Sequence, residues 1–285
     1  MRRACLAVLA VAGAACTPED IATDTALVSV HLMSFNIRTM TGNDGDNSWP
    51  YRQDLVAETY AARSPDFVGL QEAWHPQVTY LSEQTPEYAW FGRTRDETDG
   101  YGESSAILWR DADWTRDDEE HGTFWLSETP EVPGSTGWGS GLPRIVTWAR
   151  FHHASGAALY VYNTHFDHAS AEARAESARL LRQRIRTRDH ADPVVVLGDL
   201  NADEGSEPLV VLGRTPLVDS FRAMHPDEDE VGTYGGWQGD TAGPKIDHVL
   251  VTPDVAVRAA EIIRDHDAGR YPSDHYPVSA TIQLP

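Results

Sequence analysis

The sequence is poor in cysteine and in basic residues, and it lacks a long internal apolar segment. Its two cysteines, Cys5 and Cys16, are confined to the first 16 residues. No later apolar run is long enough to span a membrane. Lys and Arg number 23 against 44 Asp and Glu, which gives a formal net charge of −21. Because such a surface repels polyanions, we expect no strong nonspecific binding to duplex nucleic acid.

Residues 1–16 have the layout of a bacterial export signal. Two arginines precede the apolar stretch ACLAVLAVAGAA, which ends in small residues. Cleavage there would leave only Cys16, so no disulfide framework can form. GAAC resembles a lipobox, although Gly13 stands where a leucine-like residue is usual. We expect lipidation of Cys16, membrane anchoring and a periplasmic or cell-surface location. Plain secretion and a chance apolar start on a cytoplasmic protein are the alternatives.

The rest of the chain predicts a single domain. No Pro/Gly/Ser-rich linker, repeat or low-complexity tract divides it, and 285 residues can bury a sizeable core. We expect a polar tether at residues 17–27, a domain at residues 28–285 and a monomeric protein.

Strand and helix patterns alternate along this domain. Segments rich in β-branched and aromatic residues predict strands, namely VSVHLMSFNI, DFVGLQEA, SSAILWR, GTFWLS, RIVTWARF, AALYVYNTHF, PVVVLGDL, IDHVLVT and PVSATIQL. SWPYRQDLVAETYAARS and ASAEARAESARLLRQRIRTRDH have helical spacing. Strands that alternate indicate sheets with one face in a core, so we expect two packed sheets with helices outside.

Polar side chains occur at the ends of several predicted strands, where apolar ones would pack better. Side chains alternate along a strand, so Asn163, His165 and Asp167 share one face, as do Asp199 and Asn201. Other strand ends or neighbouring turns supply further polar residues: Asn36, Glu72, Asp247, His248, Asp274 and His275.

This mixture suits metal-assisted attack of water on a phosphoester. A hard divalent cation takes oxygen ligands, which Glu72 and Asn36 would supply. A histidine oriented by a carboxylate can deprotonate water, a role that suits His275. Asp199 would orient the water or bind metal.

Hydrogen-bond donors are also needed for the charge that develops on the phosphoryl group. His165, Asn163 and Asn201 would supply them. Each residue alone has a plainer interpretation. Asp199 could belong to a turn, and Glu72 could cap a helix beginning near Trp74. A second set of residues could be purely structural: His165 and His248 as hydrogen-bonded histidines, and Asp167 or His168 as helix caps.

Six motifs occur in an order that resembles the endonuclease/exonuclease/phosphatase superfamily: SFNIR, DFVGLQE, NTHFDH, VVLGDLNA, KIDHVLV and SDHYPV. The resemblance runs from about Val28 to the C-terminus. It implies a DNase I-like fold, a four-layer α/β/β/α sandwich of two packed mixed sheets with helices outside. It also implies hydrolysis dependent on Mg²⁺ or Mn²⁺, with the number of metal ions left open.

The resemblance also implies roles for individual residues. Asn36 and Glu72 resemble metal ligands, and Asp274 resembles a residue that binds metal or orients a histidine. The catalytic group would comprise the phosphate-contacting His165, the positioning pair Asp199 and Asn201, the supporting acid Asp247 and the general base His275.

Loops at the rim of the predicted active-site cleft would determine which substrate binds. We expect Arg144 to contact phosphate and Trp138 to form a wall of the cleft, although packing is an equal explanation for Trp125 and Trp138. Loops carrying Trp237, Arg270 and Tyr271 would stack on or clamp a ligand. No Lys/Arg-rich stripe accompanies these loops, which disfavours binding of duplex DNA. Arg38 replaces the acid of the Asn-x-Asp motif usual in abasic-site nucleases, which disfavours a role in DNA repair.

Three functions compete at this point. The favoured one is an exported metal-dependent phosphoesterase acting on small phosphodiesters or phosphomonoesters, such as nucleotides, sugar phosphates or lipid headgroups. The second is an extracellular nuclease acting on DNA or RNA. The third, from a different class, is a catalytically silent surface lipoprotein that uses the fold for binding.

Overall fold

The computed structural model describes residues 27–97 and 100–285. The expected export signal, the lipidation site Cys16 and nearly all of the tether therefore lie outside the described residues. Within the described ranges, no helix is both long enough and apolar enough to cross a bilayer.

The first of two large sheets contains six strands in the order β13-β14-β1-β2-β6-β4. Its central strands β1 and β2 run parallel, and β1 pairs with β14 in the antiparallel sense. The strand bounds are β1 Ser29–Asn36, β2 Phe67–Gln71, β4 Tyr88–Phe91, β6 Ile107–Arg110, β13 Ala256–Ile262 and β14 Val278–Gln283. A separate short ribbon pairs β3 Ala73–Trp74 with β5 Glu103–Ser104.

The second large sheet also contains six strands, in the order β11-β12-β10-β9-β8-β7. Strands β9 and β10 are parallel, while the other pairings are antiparallel. The bounds are β7 Trp114–Trp125, β8 Ile145–His153, β9 Ala158–His165, β10 Val194–Asp199, β11 Val218–Asp219 and β12 Asp247–Val251.

Helices cover the outer faces of both sheets, namely α1 Gln53–Ala61, α2 His75–Gln84, α3 Ala171–Arg186 and α4 Glu207–Gly213. Helix α5 Ser220–Met224 instead contacts β13 of the first sheet and β12 of the second, and its Phe221 belongs to the central apolar cluster. Short 3-10 turns lie at Gly45–Asn47 and Trp49–Tyr51. Ser170 caps α3, because its side chain accepts a hydrogen bond from the Ala173 N–H. The same helix carries an apolar stripe of Ala178, Leu181 and Ile185 against the second sheet.

Three apolar clusters define the layers. The central cluster joins Leu32 and Phe67 of the first sheet to Val161 and Leu197 of the second. The other two clusters pack α1 and α2 on the first sheet, and α3 and α4 on the second. Apolar burial of this extent stabilises by about 25 cal/mol per Å² removed from water. The expected four-layer sandwich of two mixed sheets is confirmed.

The sheet pairings bring the polar strand ends together. Asn36 pairs with Gln71 at the ends of β1 and β2. Asp199 pairs with His165 on one side and with Asp247 on the other. The carboxyl ends of the parallel strands therefore meet at one end of the sandwich, where their side chains reach across the two sheets.

Candidate active site

A cavity of about 510 Å³ opens where these strand ends meet. Residues from both sheets and their loops line it: Arg38, Thr39, Glu72, Arg95, Glu103, Leu142, Arg144, His165, His168, Asp199, Asn201, Tyr234, Pro244, Ile246, Asp274 and His275. Seven of the twelve residues for which the sequence predicted catalytic, substrate-binding or metal roles are among them: Glu72, Arg144, His165, Asp199, Asn201, Asp274 and His275.

The floor of the cavity carries a buried group of two carboxylates and one imidazole. His275 Nδ1 lies 2.9 Å from Asp247 Oδ2, and His275 Nε2 lies 3.8 Å from Asp199 Oδ2. Ligand atoms of Asp199, Asp247 and His275 all lie within 4.8 Å of one another. Asp247 thus orients His275 and leaves its Nε2 facing Asp199.

Charge and burial both shift the pKa values of this group. Burial alone would lower the pKa of His275, but Asp247 and Asp199 outweigh it and raise that pKa to about 10. Burial and the negative charge of Asp247 raise the pKa of Asp199 to about 7. Added positive charge in the cavity would lower both pKa values, because it favours the deprotonated forms.

Asn36 connects this group to a second acidic pair. Its amide donates to Glu72 Oε1 at 3.1 Å and to Asp199 Oδ2 at 3.0 Å, while its Oδ1 accepts from the Arg38 N–H. The Arg38 guanidinium bonds to Asp44 and also lies 3.7 Å from Asp274 Oδ2 and 3.9 Å from Glu72 Oε2. Asn36 therefore lies beneath the cavity and orients the carboxylates of Glu72 and Asp199.

Glu72 does not cap α2. Its carboxylate accepts hydrogen bonds from the Thr39 N–H and from Asn36, whereas Trp74 occupies the N-cap position of α2. Although burial opposes ionisation, these bonds and nearby His275 and Arg38 lower the pKa of Glu72. The plainer interpretation of Glu72 as a helix cap is wrong.

His165 and Asn201 form a neutral polar pair beside Asp199. Asn201 Nδ2 lies 3.0 Å from His165 Nε2, which itself lies 3.4 Å from Asp199 Oδ2. Burial, together with the charges of Arg144 and Arg95, lowers the pKa of His165 well below its usual value. The imidazole of His165 is therefore neutral at physiological pH.

Three residues of the cavity have a strained backbone conformation. Arg38, Glu72 and Asn201 all line it, and their φ angles are +57°, +57° and +47°. Residues other than glycine adopt this left-handed conformation at a cost of order 1 kcal/mol, and such residues cluster at functional sites. Tertiary contacts, such as the bond from Asn201 N to Asp199 Oδ1, stabilise it here.

The donor set fits a hard divalent cation. Glu72 and Asp274 present carboxylates to the cavity, and the described residues offer no hydrogen-bond partner to the buried Asp247 Oδ1. Oxygen donors of this kind suit Mg²⁺ or Mn²⁺. Glu72, Asp274 and the Asp199, Asp247 and His275 group are the residues able to hold such an ion.

The structure corrects the expectation for Asn163. This side chain is fully buried between the sheets, where its Nδ2 donates to the carbonyls of Leu70 and Ala106 and its Oδ1 accepts from Gln71. An added Cβ at Gly69 would lie 2.8 Å from Asn163 Oδ1, so the close fit requires glycine there. Asn163 ties the two sheets together and has no contact with the cavity.

Trp138 and Arg270 also differ from expectation. Trp138 packs beside the outer cluster under α3 and lines a separate cavity with Glu128 and Arg179. Arg270 is exposed, and its Nη1 donates to the Tyr51 carbonyl. Neither residue lines the main cavity, because their loops fold against the protein surface.

The sequence predicted no role for several other residues that line the cavity. Tyr234 packs edge-on to His275, with ring centroids 5.1 Å apart, whereas its expected neighbour Trp237 packs on Arg52. Arg95, on the loop between β4 and β5, forms a salt bridge at 2.7 Å with Glu103 of β5. Tyr234 lies on the rim loop that the sequence predicted through Trp237, whereas no motif indicated Arg95 or Glu103.

A buried polar network lies behind Asn201. Lys245 is the only lysine of the sequence, and its Nζ contacts Asp219 and His248 at 2.5 and 2.7 Å. His248 Nε2 lies 3.0 Å from the Ala202 carbonyl. His248 is therefore a structural histidine that supports the loop carrying Asn201.

Comparison with known proteins agrees with this geometry. An endonuclease/exonuclease/phosphatase family protein from Bacteroides thetaiotaomicron is 29% identical, with a TM-score of 0.83, and the match covers 91% of this chain and 96% of that one. The family protein from Bacteroides vulgatus is 32% identical, with a TM-score of 0.82 and coverage of 90% and 100%. A mannosyl-6-phosphatase from Bacteroides thetaiotaomicron is 30% identical, with a TM-score of 0.80 and coverage of 89% and 99%.

Comparison with curated protein sequences found no match. The model of the endonuclease/exonuclease/phosphatase family, in contrast, matches residues 33–275, which include the strand ends and loops that build the cavity. The chain therefore belongs to the endonuclease/exonuclease/phosphatase family.

Proposed function

We propose that this protein is a divalent-cation-dependent hydrolase that cleaves small phosphodiesters or phosphomonoesters. The observation that carries the proposal is the buried pair of His275 and Asp247, which faces Asp199 at the floor of the cavity. Such an arrangement has the elements of a general base, a group that orients it and a second carboxylate that can position the attacking water.

In this function, His275 accepts a proton from the attacking water, and Asp247 holds its ring in position. Asn201 Nδ2, which contacts His165 Nε2 and the Phe166 carbonyl, would turn one N–H to a phosphoryl oxygen, and neutral His165 would donate another hydrogen bond beside it. Arg144 attracts the phosphate charge from the neighbouring wall. Asp199 positions the water between His275 and the phosphorus.

Glu72 and Asp274 would hold Mg²⁺ or Mn²⁺, with Asn36 orienting Glu72 through its amide. A bound cation would supply positive charge to the phosphoryl oxygens. The carboxylates that line this part of the cavity would otherwise repel an anionic substrate.

The cavity and the comparisons support small substrates. A volume of about 510 Å³ suits a nucleotide, a sugar phosphate or a lipid headgroup. The structural match to a mannosyl-6-phosphatase favours including sugar phosphates among the substrates tested. The excess of acidic residues disfavours a nuclease that grips duplex DNA.

We also propose that the protein is exported as a monomer and anchored to a membrane through lipidated Cys16. The apolar stretch and GAAC of residues 1–16 support this location. Cys16→Ser should release the protein from the membrane fraction. Unchanged fractionation would contradict lipid anchoring at Cys16.

The first test is hydrolysis of bis-p-nitrophenyl phosphate and p-nitrophenyl phosphate by the full chain, with Mg²⁺ or Mn²⁺ and with EDTA. Release of nitrophenol that requires the cation would support the proposal. Absence of release from both compounds by folded protein, together with no Mn²⁺ binding in calorimetry, would contradict it and favour a silent binding protein.

A further inference from the structure

Two arginines line the inner wall of the cavity, and several of their N–H groups lack partners. Arg144 is only 4% exposed. Among the described residues, neither its Nε nor its Nη1 finds a hydrogen-bond partner, and the same holds for Arg95 Nε. A buried guanidinium with free donors is costly unless an anion or water satisfies it.

Protein contacts hold both arginines in place and leave these donors free. Arg144 Nη2 lies 3.0 Å from His168 Nδ1, while its Nε lies 3.8 Å from Asp167 Oδ2, too far for a hydrogen bond. Arg95 Nη1 bonds to Glu103 Oε2 at 2.7 Å. Protein contacts alone therefore hold the two guanidinium groups in these positions.

The loop that carries Arg95 is anchored on both sides. The Arg95 N–H donates to the Glu103 carbonyl at 2.9 Å, and Trp125 Nε1 donates to the Arg95 carbonyl at 2.8 Å. Trp125 is almost fully buried, so it holds the loop against the second sheet. A residue whose backbone is held on both sides presents its charge to a ligand at a lower entropic cost.

The wall behind the arginines is closed. A space of only about 10 Å³ lies there, between Arg95, Glu103, Ser105, Arg144 and His165. It is large enough for about one water molecule and too small for a second ester group. A phosphate bound against the arginines can carry a substituent only toward the mouth of the cavity, near Leu142, Tyr234 and Ile246.

From this geometry we infer that Arg95 and Arg144 form a seat for the terminal phosphate of a compact monoester, which the site cleaves in preference to a diester. The inference rests on the proposed phosphoesterase function and specifies its substrate class. A monoester dianion offers three terminal oxygens to the free N–H groups. A diester offers two such oxygens and must accommodate a second substituent.

Two polar residues border the seat. His165 lines both the main cavity and the small space behind the arginines. Asn201, whose Nδ2 lies 3.0 Å from His165 Nε2 and 3.2 Å from the Phe166 carbonyl, lines the cavity just after the neighbouring strand β10. The seat therefore has polar side chains on this flank.

The test compares kcat/KM for p-nitrophenyl phosphate, a monoester, with kcat/KM for bis-p-nitrophenyl phosphate, a diester. The variants are Arg95→Gln and Arg144→Gln in the full chain with Mn²⁺. Arg258→Gln serves as the control, since Arg258 bonds Gln283 on the exposed strand β13. Inhibition by inorganic phosphate is measured for each protein, because it reports binding to the seat without turnover.

We expect the wild type to prefer the monoester. Arg95→Gln and Arg144→Gln should lower the ratio of monoester to diester kcat/KM at least tenfold and weaken phosphate inhibition at least tenfold, whereas Arg258→Gln changes neither. Circular dichroism checks folding. If Arg144→Gln fails to fold, the surface-loop variant Arg95→Gln decides the outcome.

Preference of the wild type for the diester, or an equal loss for both substrates in Arg95→Gln, would overturn the monoester seat and leave the phosphoesterase function standing. Failure of the folded wild type to hydrolyse either compound with the cation, together with no Mn²⁺ binding in calorimetry, would overturn both. The two failures are therefore distinguishable.

Discussion

His275 Nδ1 lies 2.9 Å from Asp247 Oδ2, and both side chains are buried beneath the cavity. The contact fixes the ring so that its other nitrogen faces Asp199. Because a carboxylate partner both orients an imidazole and stabilises its protonated form, this pair is the centre of the proposed proton transfer.

Replacement of His275 tests this role directly. We expect His275→Ala to lower kcat by about 10²-fold or more while the protein remains folded, because general-base catalysis contributes roughly 10²–10⁴-fold. Steady-state kinetics and circular dichroism check both parts. The matched control is His31→Ala, since His31 is exposed near the start of β1, away from the cavity. Near-normal turnover in His275→Ala would refute the general-base assignment.

Glu72 tests the cation site independently of turnover. Glu72→Gln keeps the side-chain shape but removes the charge that a divalent cation needs, so we expect Mn²⁺ affinity to fall by at least about tenfold. Isothermal titration calorimetry measures this affinity. Glu58→Gln, on helix α1, is the control because its side chain is exposed. Equal Mn²⁺ affinity in wild type and Glu72→Gln would place the cation elsewhere.

The strand ends were the most predictable part of this site. Asp199, His165 and His275 come together because β9 and β10 are parallel and β14 begins beside β1, so their ends lie at the same edge. Alternation along β9 correctly placed Asn163 and His165 on the same face, but it does not indicate how far each residue lies from the cavity. Residues two apart lie roughly 6.6 Å apart along a strand, and Asn163 is covered by the first sheet.

Helices, strands and loops with weak hydrophobic patterns were the least predictable parts of the structure. Helix α2 buries Gln77, Val78 and Leu81, a stripe too short to stand out. Edge strand β13 alternates poorly because most of its residues are at least partly exposed. Arg95 and Trp138 lie on loops whose positions depend on distant contacts, such as the bond from Trp125 to the Arg95 carbonyl. Local sequence does not encode such contacts.

Asn163 provides a test that separates stability from substrate binding. Asn163→Ala would remove the hydrogen bonds to the buried carbonyls of Leu70 and Ala106 and the buried acceptor of Gln71 Nε2, so we expect the free energy of unfolding to fall by about 3 kcal/mol. The KM should remain unchanged, because Asn163 does not line the cavity. Urea denaturation and steady-state kinetics measure the two quantities. A raised KM with unchanged stability would restore the substrate-binding role.

Asp219 links stability to pH through Lys245 and His248. Burial alone would raise the pKa of Asp219, but Lys245 and His248 outweigh it and hold the pKa well below its ordinary value of 3.8. Since the folded-state pKa is depressed, the stabilisation is fully present above about pH 4 and is lost as the pH falls through the folded pKa. Asp219→Asn removes this contribution and leaves the buried Lys245 without its carboxylate.

We therefore expect Asp219→Asn to lower the free energy of unfolding by about 3 kcal/mol near pH 7, and the difference from wild type to shrink as the pH falls below about 4. Urea denaturation between roughly pH 3 and pH 7 would measure this difference, because the range includes the pKa of an aspartate in the unfolded chain. Asp254→Asn is the control, because Asp254 is exposed in the turn after β12. A difference that stays constant across this range would show that Asp219 acts through packing and not through its charge. A shrinking difference would identify the charge of Asp219 as the support for the loop that carries Asn201, since His248 joins that charge to the Ala202 carbonyl.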